Sequence, residues 1–250
     1  MAKQRTLRTA TVTDTRRISP DLIRISFDCP GIVGSELPFT DHYVKIVFDD
    51  VTRTYTLCNI NTVAGTFDID FVSHGSEGLA GPWAEQAEIG DGISFAGPGG
   101  KWKPAADYEH FVLAGDEAAA PAIVEALKHL PDGATATAYL EISSNEALFD
   151  VPTPPSAELV WVPRDGAIHG ARLIEAVRAG GYPEKKTSWF IHGVAEMVKE
   201  TRRFLFIDGD IAREDASISG YWRLGMTEDQ WQSSKREFAE AMEAEEAAAG

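Results

Sequence analysis

The segment RTYTLC at positions 53–58 places a guanidinium, an aromatic ring and hydroxyl groups within one short run. Side chains two positions apart share one face of a strand, so Arg53, Tyr55 and Leu57 are expected on one side and the threonines on the other. One interpretation is a half-exposed strand with β-favouring threonines. The other is a surface that binds a large, flat, charged ligand, because arginine matches phosphate oxygens in pairs and an aromatic ring offers a stacking face.

Two glycine-rich segments could bind an anion or a ring. The first, HGSEGLAGPWAEQA at 74–87, begins with His74 and precedes a predicted helix in which Pro82 and Trp83 lie near the start. Its glycines, which would let the backbone approach a ligand closely, are Gly75, Gly78 and Gly81. A helix start presents free N–H groups that suit a phosphate, although a turn that merely caps the helix fits equally well. The second, GPGGKW at 97–102, contains Gly97 and Gly99 and is either a plain turn or a loop that holds a ring or phosphate against the preceding strands.

A third candidate is VLAGDEAAAPAI at 112–123, which combines a strand, a glycine turn and a helix. This is the form of a first βα unit in a nucleotide-binding sheet, where ligands lie at the carboxyl ends of the strands. The segment matches neither the GxGxxG nor the GxxxxGK[ST] phosphate motif. Taken alone, it is weak support for a nucleotide site.

The elements that position these residues change in type along the chain. Six short apolar or alternating runs separated by Gly, Pro, Asp and Asn precede Pro104: RTATVTDTRRIS, LIRISFDC, HYVKIVFDD, RTYTLCNI, TFDIDFVSH and GDGISFAGP. They predict a closed or nearly closed antiparallel barrel, interrupted by one helix at 78–87.

Strands and helices alternate after Pro104. The segments are HFVLAGDE, AAAPAIVEALKHL, ATAYLEIS, ELVWVPR, ARLIEAVRAGG, TSWFIHGV and AEMVKETRRFLFID. This alternation indicates a parallel sheet with helices on both faces. We therefore predict two domains, a β-barrel at 1–104 and an α/β domain at 105–250 that ends in an acidic helix beyond Trp231.

The composition excludes several classes of protein. The 250 residues carry a net charge of −16, which argues against a nucleic-acid surface. No run is long and apolar enough for a membrane span, and the basic N-terminus lacks the apolar stretch of a secretory signal, so the cytoplasm is the expected location. The two cysteines form no CxxC pair, and the six histidines show no metal-ligand spacing. We expect no disulfide or metal site, and most histidines at the surface or in loops.

The motif RTYT resembles the R-x-Y-[ST] motif of ferredoxin reductase-like flavoproteins. From about residue 40 to residue 235, the order of motifs resembles the siderophore-interacting protein family of ferric-siderophore reductases. The matching pieces are DHYVKIVF, RTYT, FDIDFVSHG with GPWAEQA, GDGISFAGPGGKW, FVLAGDEAAAPAI, VWVPR and ISGYWRLGMTEDQW. The resemblance implies an α+β two-domain fold, with an antiparallel β-barrel FAD-binding domain followed by an α/β parallel-sheet NAD(P)H-binding domain. It also implies reduction of siderophore-bound Fe(III) by electrons from NAD(P)H through FAD, so that weakly held Fe(II) is released.

The resemblance assigns roles to individual residues. Arg53 would contact the FAD pyrophosphate, Tyr55 would pack on the flavin–ribityl part, and Thr56, the one catalytic assignment, would hydrogen-bond near flavin N5. The remaining cofactor-binding assignments are Leu57, His74, Gly75, Gly78, Gly81, Pro82, Trp83, Gly97, Gly99, Asp116, Glu117 and Trp222. Asp116 and Glu117 would touch the nicotinamide ribose or else cap the following helix. Trp222 would cover the flavin or the substrate pocket, or else anchor the C-terminal segment in the core.

Anionic ferric siderophores need basic residues for their capture. By the resemblance, Lys45 matches a basic position beside the flavin, and Arg223 and Lys235 belong to a C-terminal segment that folds back towards the cofactor. The alternative for all three is a solvated strand or helix face. Cys58 stands where the family often has a second arginine, which puts one phosphate contact in doubt. We interpret Cys58 as a packed residue rather than a redox thiol.

The electron donor and the exact activity stay open at this level. The segment LEISSNEAL at 140–148 offers no Arg or Lys to a 2′-phosphate and contains Glu146, which favours NADH, although Arg164 or Lys199 could swing in to accept NADPH. A ferredoxin could also supply the electrons. Alternative functions are a general ferric-chelate or flavin reductase and a non-catalytic siderophore-binding protein. A monomer is expected because no apolar face is obviously spare.

Overall fold

The computed structural model describes residues 7–73 and 78–249, with side chains through residue 244. The chain divides into two compact units. The first contains the described residues up to Lys103 together with Pro121–His129 and Glu146–Pro152, and the second contains Pro104–Ala120, Leu130–Asn145 and the residues from Thr153 onwards. The predicted domains 1–104 and 105–250 differ in assigning Pro121–His129 and Glu146–Pro152 to the second domain, and these bounds stay a prediction.

The first unit is a closed six-stranded antiparallel barrel with the strand order β1-β2-β5-β4-β3-β6. Its strands are β1 (Leu7–Ser19), β2 (Leu22–Asp28), β3 (Tyr43–Phe48), β4 (Val51–Asn61), β5 (Thr66–Val72) and β6 (Gly92–Gly99). Helix α1 (Ala80–Gln86) lies between β5 and β6, and a 3₁₀ turn (Pro30–Ile32) follows β2. The predicted barrel and its interrupting helix are both confirmed.

Alternation along the strands fills the barrel with aromatic side chains. Phe27, Phe67 and Phe95 are fully buried, and their ring centroids lie 5.3 Å apart for the first pair and 5.8 Å apart for the second. On each strand, the residues directly before and after the phenylalanine point outward, as the two-residue period of a strand requires. The barrel interior is therefore a packed core, and a ligand must bind at its rim or outer surface.

The second unit contains a five-stranded sheet with the order β11-β10-β7-β8-β9, in which all neighbouring strands are parallel. Its strands are β7 (His110–Gly115), β8 (Thr135–Ile142), β9 (Ala157–Pro163), β10 (Thr187–Val194) and β11 (Ala216–Trp222). The helices after Pro104 are α2 (Ala120–Lys128), α3 (Ala171–Gly180), α4 (Ala195–Arg202) and α5 (Glu228–Ala249), with 3₁₀ turns at Asn145–Ala147 and Arg213–Asp215. The predicted parallel sheet is confirmed.

Two features of this unit differ from the sequence prediction. Strand β11 was not predicted as a strand, although its segment was recognised as a motif. The predicted helix at 195–208 ends as an α-helix at Arg202 and continues as a π-helix over Arg203–Asp208. The aromatic side chains of this π-helix pack with neighbouring rings, for example Phe204 on Tyr182 with centroids 4.6 Å apart, so packing overrides the regular helical repeat.

The strand order creates a switch point between β7 and β10. From β7 the chain proceeds to β8 and β9 on one side of the sheet, and then returns to β10 and β11 on the other side. In such sheets, ligands bind outside the carboxyl ends of the strands near this point. The residues at the end of β7 and β10 are therefore the first place to look for a site in this unit.

Helix α5 is the longest helix, and Trp231 and Met242 anchor its apolar side. Its remaining surface is rich in glutamate. Within the residues that the structure describes, no helix has both the length and the apolar character needed to cross a membrane.

Candidate functional site

Strand pairing decides which face of β4 each predicted site residue occupies. Arg53 lies opposite Ile46 and Tyr55 opposite Val44, and both partners belong to the core inside the barrel. Directly paired residues share a face of the sheet, so Arg53 and Tyr55 are on the inward face, as the alternation predicted. Both are only partly buried, which places them at the rim of the barrel, where a ligand can reach them.

Tyr55 and Leu57 differ in how far they enter the core. The Tyr55 ring packs against Phe71, with centroids 4.6 Å apart, and this contact orients the ring. Leu57 is fully buried among core residues, and its N–H donates to the His42 carbonyl at 2.7 Å. The side chain and the N–H of Leu57 are thus engaged within the protein, and its role in cofactor binding stays a prediction.

Thr56 and Lys45 occupy the opposite face. Lys45 pairs with Thr54, and Thr56 pairs with Tyr43 two positions further along the same two strands. Thr56 is buried and Lys45 is half-buried. The hydroxyl predicted to contact the flavin and the amine predicted to contact the substrate are therefore neighbours on one face of β3 and β4.

The predicted phosphate-binding loop leads into α1. Gly78 has a positive φ of 80° and directly precedes Leu79, the N-cap residue, whose side chain has no oxygen with which to cap the helix. In the first turn, a Cβ on Gly81 would lie 3.1 Å from the Val72 carbonyl oxygen, so glycine lets the helix start pack directly on the end of β5. The side chain of Leu79 does not cap the first turn, whose backbone N–H groups are of the kind that suits an anion.

Pro82 and Trp83 follow within the first turns of α1. The Trp83 ring contacts Phe71 and Phe48, with centroids 5.5 Å and 6.1 Å away, so it fastens the helix to the barrel. His74 and Gly75, which the sequence assigned to the same loop, lie outside the described residues.

Gly97 and Gly99 lie in β6, and packing against Tyr43 accounts for both of them. A Cβ on Gly99 would lie 2.7 Å from the Tyr43 ring, and one on Gly97 would lie 3.1 Å from the Tyr43 carbonyl oxygen. The loop after β6 is fixed by the Asp41 carboxylate, which accepts the N–H groups of Lys101 and Trp102 at 2.8 Å and 2.9 Å. A cofactor role for these glycines stays a prediction.

Cys58 is a packed residue, as interpreted from the sequence. Its side chain is fully buried, and its thiol donates to the Asp68 carbonyl at 3.5 Å. Burial raises the pKa of the Cys58 thiol well above its ordinary value, and nearby Asp70 adds to this. The thiolate is disfavoured, so the thiol is poorly suited to redox chemistry.

The barrel residues fit an FAD molecule by their chemistry. Arg53 supplies a guanidinium for phosphate oxygens and Tyr55 an aromatic face, both accessible at the rim. The uncapped start of α1 supplies backbone donors. Cationic, aromatic and N–H groups in one unit match the anionic and planar parts of a flavin dinucleotide.

In the second unit, Asp116 follows β7 directly and is 1% exposed. Its Oδ1 accepts the N–H groups of Ala118 and Ala119 at 3.0 Å and 3.3 Å, so it caps the turn that leads into α2. Its Oδ2 accepts the indole N–H of Trp222 at 2.8 Å. Burial, together with the charge of the neighbouring Glu117, raises the pKa of Asp116 to about 7. The helix-capping alternative is thus realised, and the predicted ribose contact stays a prediction.

Gly193 makes this arrangement possible. The Asp116 carboxylate crosses the backbone of β10 at the switch point, where Gly193 has a φ of +142° and a Cβ would lie 2.7 Å from Asp116 Cγ. Trp222 ends β11 and also contacts His169 edge-on, with centroids 4.9 Å apart. Trp222 is therefore anchored in the α/β unit. Sequence reasoning missed Gly193 and His169, because nothing near either of them in sequence signals a contact with Asp116 or Trp222.

Glu117, Glu141 and Arg164 form a buried ionic group, which we call the acid–arginine cluster. Arg164 Nη2 donates to Glu117 Oε1 at 3.0 Å and Arg164 Nη1 donates to Glu141 Oε1 at 3.0 Å. Both Glu141 oxygens also accept the N–H of Gly170, the N-cap residue of α3, at 3.0 Å. The hypothesis that Arg164 swings towards a ligand is disfavoured, since the guanidinium is buried between two carboxylates.

Glu141 itself was missed by the sequence reading. Burial raises its pKa, which the Gly170 N–H and Arg164 oppose. A usable signal was present, because a glutamate within the apolar run ATAYLEIS requires a partner if the strand is buried.

Arg223 packs against the C-terminal helix α5, and Lys235 belongs to that helix. The Arg223 guanidinium lies over the rings of Trp231 and Phe238, 5.9 Å and 5.0 Å from their centroids, and 3.7 Å from Glu196. Lys235 Nζ donates to Ser219 Oγ at 3.3 Å. These contacts attach α5 to β11 and α4, so any contact of either residue with a substrate is additional to a structural role.

Two histidines are buried: His42 lies in the loop before β3, as expected, whereas His192 lies in a strand and contradicts the expectation of surface or loop positions. His42 is 3% exposed, and its Nε2 accepts the Phe39 N–H. His192 is 4% exposed in β10, where its ring nitrogens contact Tyr221 Oη at 3.0 Å and Ser217 Oγ at 2.9 Å. Burial lowers the pKa of His192 to about 3, and Lys235 contributes, so the ring is neutral. Among the described residues, no group of three or more His, Cys, Asp or Glu side chains could hold a metal ion.

Comparison with known proteins covers both units. Residues 11–51 and 49–102 match the family described as siderophore-interacting FAD-binding domain, and residues 108–225 match the family described as siderophore-interacting protein. An uncharacterised protein of Mycobacterium tuberculosis is 34% identical over 92% of this chain and 95% of its own length. The ferric vibriobactin reductase ViuB of Vibrio cholerae is 29% identical over 85% of this chain and 88% of its own length.

Solved structures resemble most of the chain. The crystal structure of a siderophore utilization protein from T. fusca matches with a TM-score of 0.79 at 29% identity, over 89% of this chain and 95% of that one. The ferredoxin-NADP+ reductase from Plasmodium falciparum matches with a TM-score of 0.68 at 11% identity, over 86% of this chain and 96% of that one, and this likeness concerns the fold alone. The predicted ferredoxin reductase-like fold is confirmed.

Proposed function

Because the chain belongs to the siderophore-interacting protein family, we propose that it is an FAD-dependent ferric-siderophore reductase whose electrons come from a nicotinamide dinucleotide. The observation that carries the proposal is the rim of the barrel, where Arg53 and Tyr55 share the inward face of β4 within the part matched as an FAD-binding domain. The likeness to a protein named as a ferric vibriobactin reductase supports the substrate class.

Bound FAD would supply the redox chemistry, accepting a hydride and passing on single electrons. The residues of the chain bind and orient it. Arg53 would bind the pyrophosphate oxygens, and Tyr55, oriented by Phe71, would pack against the flavin–ribityl part. The Thr56 hydroxyl would hydrogen-bond the flavin ring near N5.

The reaction requires little acid–base chemistry from the protein. The ferric ion is the substrate, and its reduction to Fe(II) weakens its binding to hard oxygen ligands, so the siderophore releases it. Basic residues attract the anionic complex in a chain whose net charge is −16. We propose Lys45 for this role in the barrel unit, and Arg223 and Lys235 in the α/β unit. The cytoplasmic location and the monomeric state stay predictions.

An anaerobic titration of the purified protein tests the proposal. We expect a flavin absorbance band at about 450 nm that a nicotinamide dinucleotide bleaches and a ferric catecholate siderophore restores. If only a reduced ferredoxin bleached the flavin, ferredoxin and not the dinucleotide would be the electron donor. Reoxidation by simple ferric chelates at equal rates would favour a general ferric-chelate reductase. A colourless protein that binds the siderophore would contradict the proposal and favour a binding protein.

A pair of variants tests the site itself. Arg53→Gln removes the charge at the rim and is expected to weaken FAD binding by roughly tenfold or more, the value of a lost hydrogen bond to a charged group. Arg16→Gln removes an exposed charge from β1 of the same barrel and serves as the matched control. Equal FAD dissociation constants for the two variants, measured by flavin fluorescence, would contradict the assignment of Arg53.

A further inference from the structure

The acid–arginine cluster lies at the carboxyl edge of the parallel sheet. Glu117 follows β7, Glu141 is the last but one residue of β8, and Arg164 follows β9, so three adjacent strand ends are connected. Glu141 also binds the start of α3 through Gly170. Nucleotides bound by doubly wound sheets lie outside this edge, with the adenosine ribose near the end of the second strand. In this sheet the second strand is β8.

The cluster leaves Arg164 unavailable to a phosphate. A 2′-phosphate on the ribose is normally accommodated by an arginine near this position. Here the guanidinium is buried and bonds both carboxylates at 3.0 Å. Moving Arg164 to a ligand would leave Glu117 and Glu141 buried without their cation, which is strongly unfavourable.

The charge of the cluster also disfavours a phosphate. Two carboxylates and one guanidinium leave a net negative charge, and Asp116 beside Glu117, with a pKa of about 7, adds part of a further charge at neutral pH. Little solvent screens these groups, so the repulsion of a further anion is strong. Arg172 is the nearest rival cation by sequence, and it is bonded to the Pro163 carbonyl at 2.9 Å and to the Asp165 carboxylate at 3.0 Å. An uncharged ribose diol meets no such repulsion.

We propose that the acid–arginine cluster makes this chain select NADH over its 2′-phosphorylated counterpart, with Glu117 and Glu141 as the specificity-determining residues. The inference rests on the proposed function, because it names the donor for the same reaction. It assigns the selection to the charge of the edge and not to direct contact, since both carboxylates are buried.

Binding calorimetry on the FAD-loaded protein tests the inference without turnover. The probes are ADP-ribose and 2′-phospho-ADP-ribose, which differ only in the phosphate. We expect ADP-ribose to bind more tightly by at least about tenfold, since a phosphate brought close to an edge of like charge is repelled. Glu117→Gln retains an acceptor for Arg164 while removing one negative charge. We expect it to reduce severalfold the ratio of the dissociation constant of 2′-phospho-ADP-ribose to that of ADP-ribose. Glu141→Gln provides a second test if the first variant folds poorly.

Glu158→Gln is the matched control. Glu158 is an exposed glutamate of β9 near its amino end, and the same substitution there should leave the ratio of the two dissociation constants unchanged. The inference would be overturned if the wild type bound 2′-phospho-ADP-ribose more tightly than ADP-ribose. It would also be overturned if Arg172→Gln abolished binding of 2′-phospho-ADP-ribose, since Arg172 would then be a phosphate ligand. Equal ratios in Glu117→Gln and Glu158→Gln would also overturn it.

The two proposals can fail separately. Binding of neither probe would overturn the inference, yet a flavin reduced by another donor and reoxidised by a ferric siderophore would leave the reductase standing. Selective binding of ADP-ribose without flavin reduction by NADH would support the inference and count against the proposed donor reaction.

Discussion

Replacing Gly193 with alanine tests the crossing of the Asp116 side chain over β10. The new Cβ would lie 2.7 Å from both Cγ and Oδ2 of Asp116 and 2.9 Å from Oδ1, distances that force the carboxylate to move. The φ of Gly193 is +142°, a conformation that residues with a side chain rarely adopt. The substitution therefore combines backbone strain with a steric clash.

The size of the effect follows from these two terms. Backbone strain of this kind costs about 1–3 kcal/mol. Above pH 7, where Asp116 is ionised, displacing the carboxylate also breaks a hydrogen bond from the Trp222 indole worth about 1.5–3 kcal/mol. We expect Gly193→Ala to lower the free energy of unfolding by about 3–5 kcal/mol, a large part of the stability of a typical domain. Urea denaturation followed by far-ultraviolet circular dichroism measures this loss.

Gly166→Ala is the matched control. Gly166 has a φ of +80° in the same unit, and a Cβ there would meet nothing within 4 Å, so only strain of about 1 kcal/mol is expected. In an Asp116→Ala background, the cost of Gly193→Ala should fall to its strain alone, because the clashing carboxylate is gone. If Gly193→Ala proved as mild as Gly166→Ala, or cost as much without Asp116 as with it, the contact between the two residues would be refuted.

Three further predictions concern buried or packed charges. The pKa of Asp116 is about 7 in the folded protein against an ordinary 3.8. Its contribution to stability is therefore fully present below pH 3.8, where the carboxyl is protonated, and is lost as pH rises through about 7. Urea titrations at acid and at mildly alkaline pH measure this. Between the two, the free energy of unfolding of the wild type should fall by up to about 4 kcal/mol more than that of Asp116→Asn. The Cys58 thiol should resist thiol reagents until the chain unfolds, and Cys58→Arg should cost roughly 3 kcal/mol or more; rapid labelling of the native protein would contradict this. Arg223→Gln should lower stability by about 1–2 kcal/mol through its contacts with the rings of α5, whereas the exposed Arg236→Gln should not, as thermal denaturation of both would show.

Much of the architecture followed from local sequence patterns. The two-residue alternation of the barrel strands and the strand–helix alternation after Pro104 predicted both folds, because each element must bury its apolar face. The same alternation placed Arg53 and Tyr55 on one face of β4 and Thr56 on the other. The ordered motifs identified the family, since each depends on residues that are neighbours in the chain.

Only the tertiary structure decided contacts between distant residues. Asp116, Gly193 and Trp222 meet because β7, β10 and β11 are adjacent in the sheet, which the sequence order does not reveal. The same holds for the acid–arginine cluster, where Glu117 and Arg164 are brought together by three parallel strand ends. Strand β11 escaped prediction for a related reason, because four of its seven residues are alanine, serine or glycine and form a strand through pairing with β10. Local propensity determines elements, whereas register and strand order determine which side chains become buried partners.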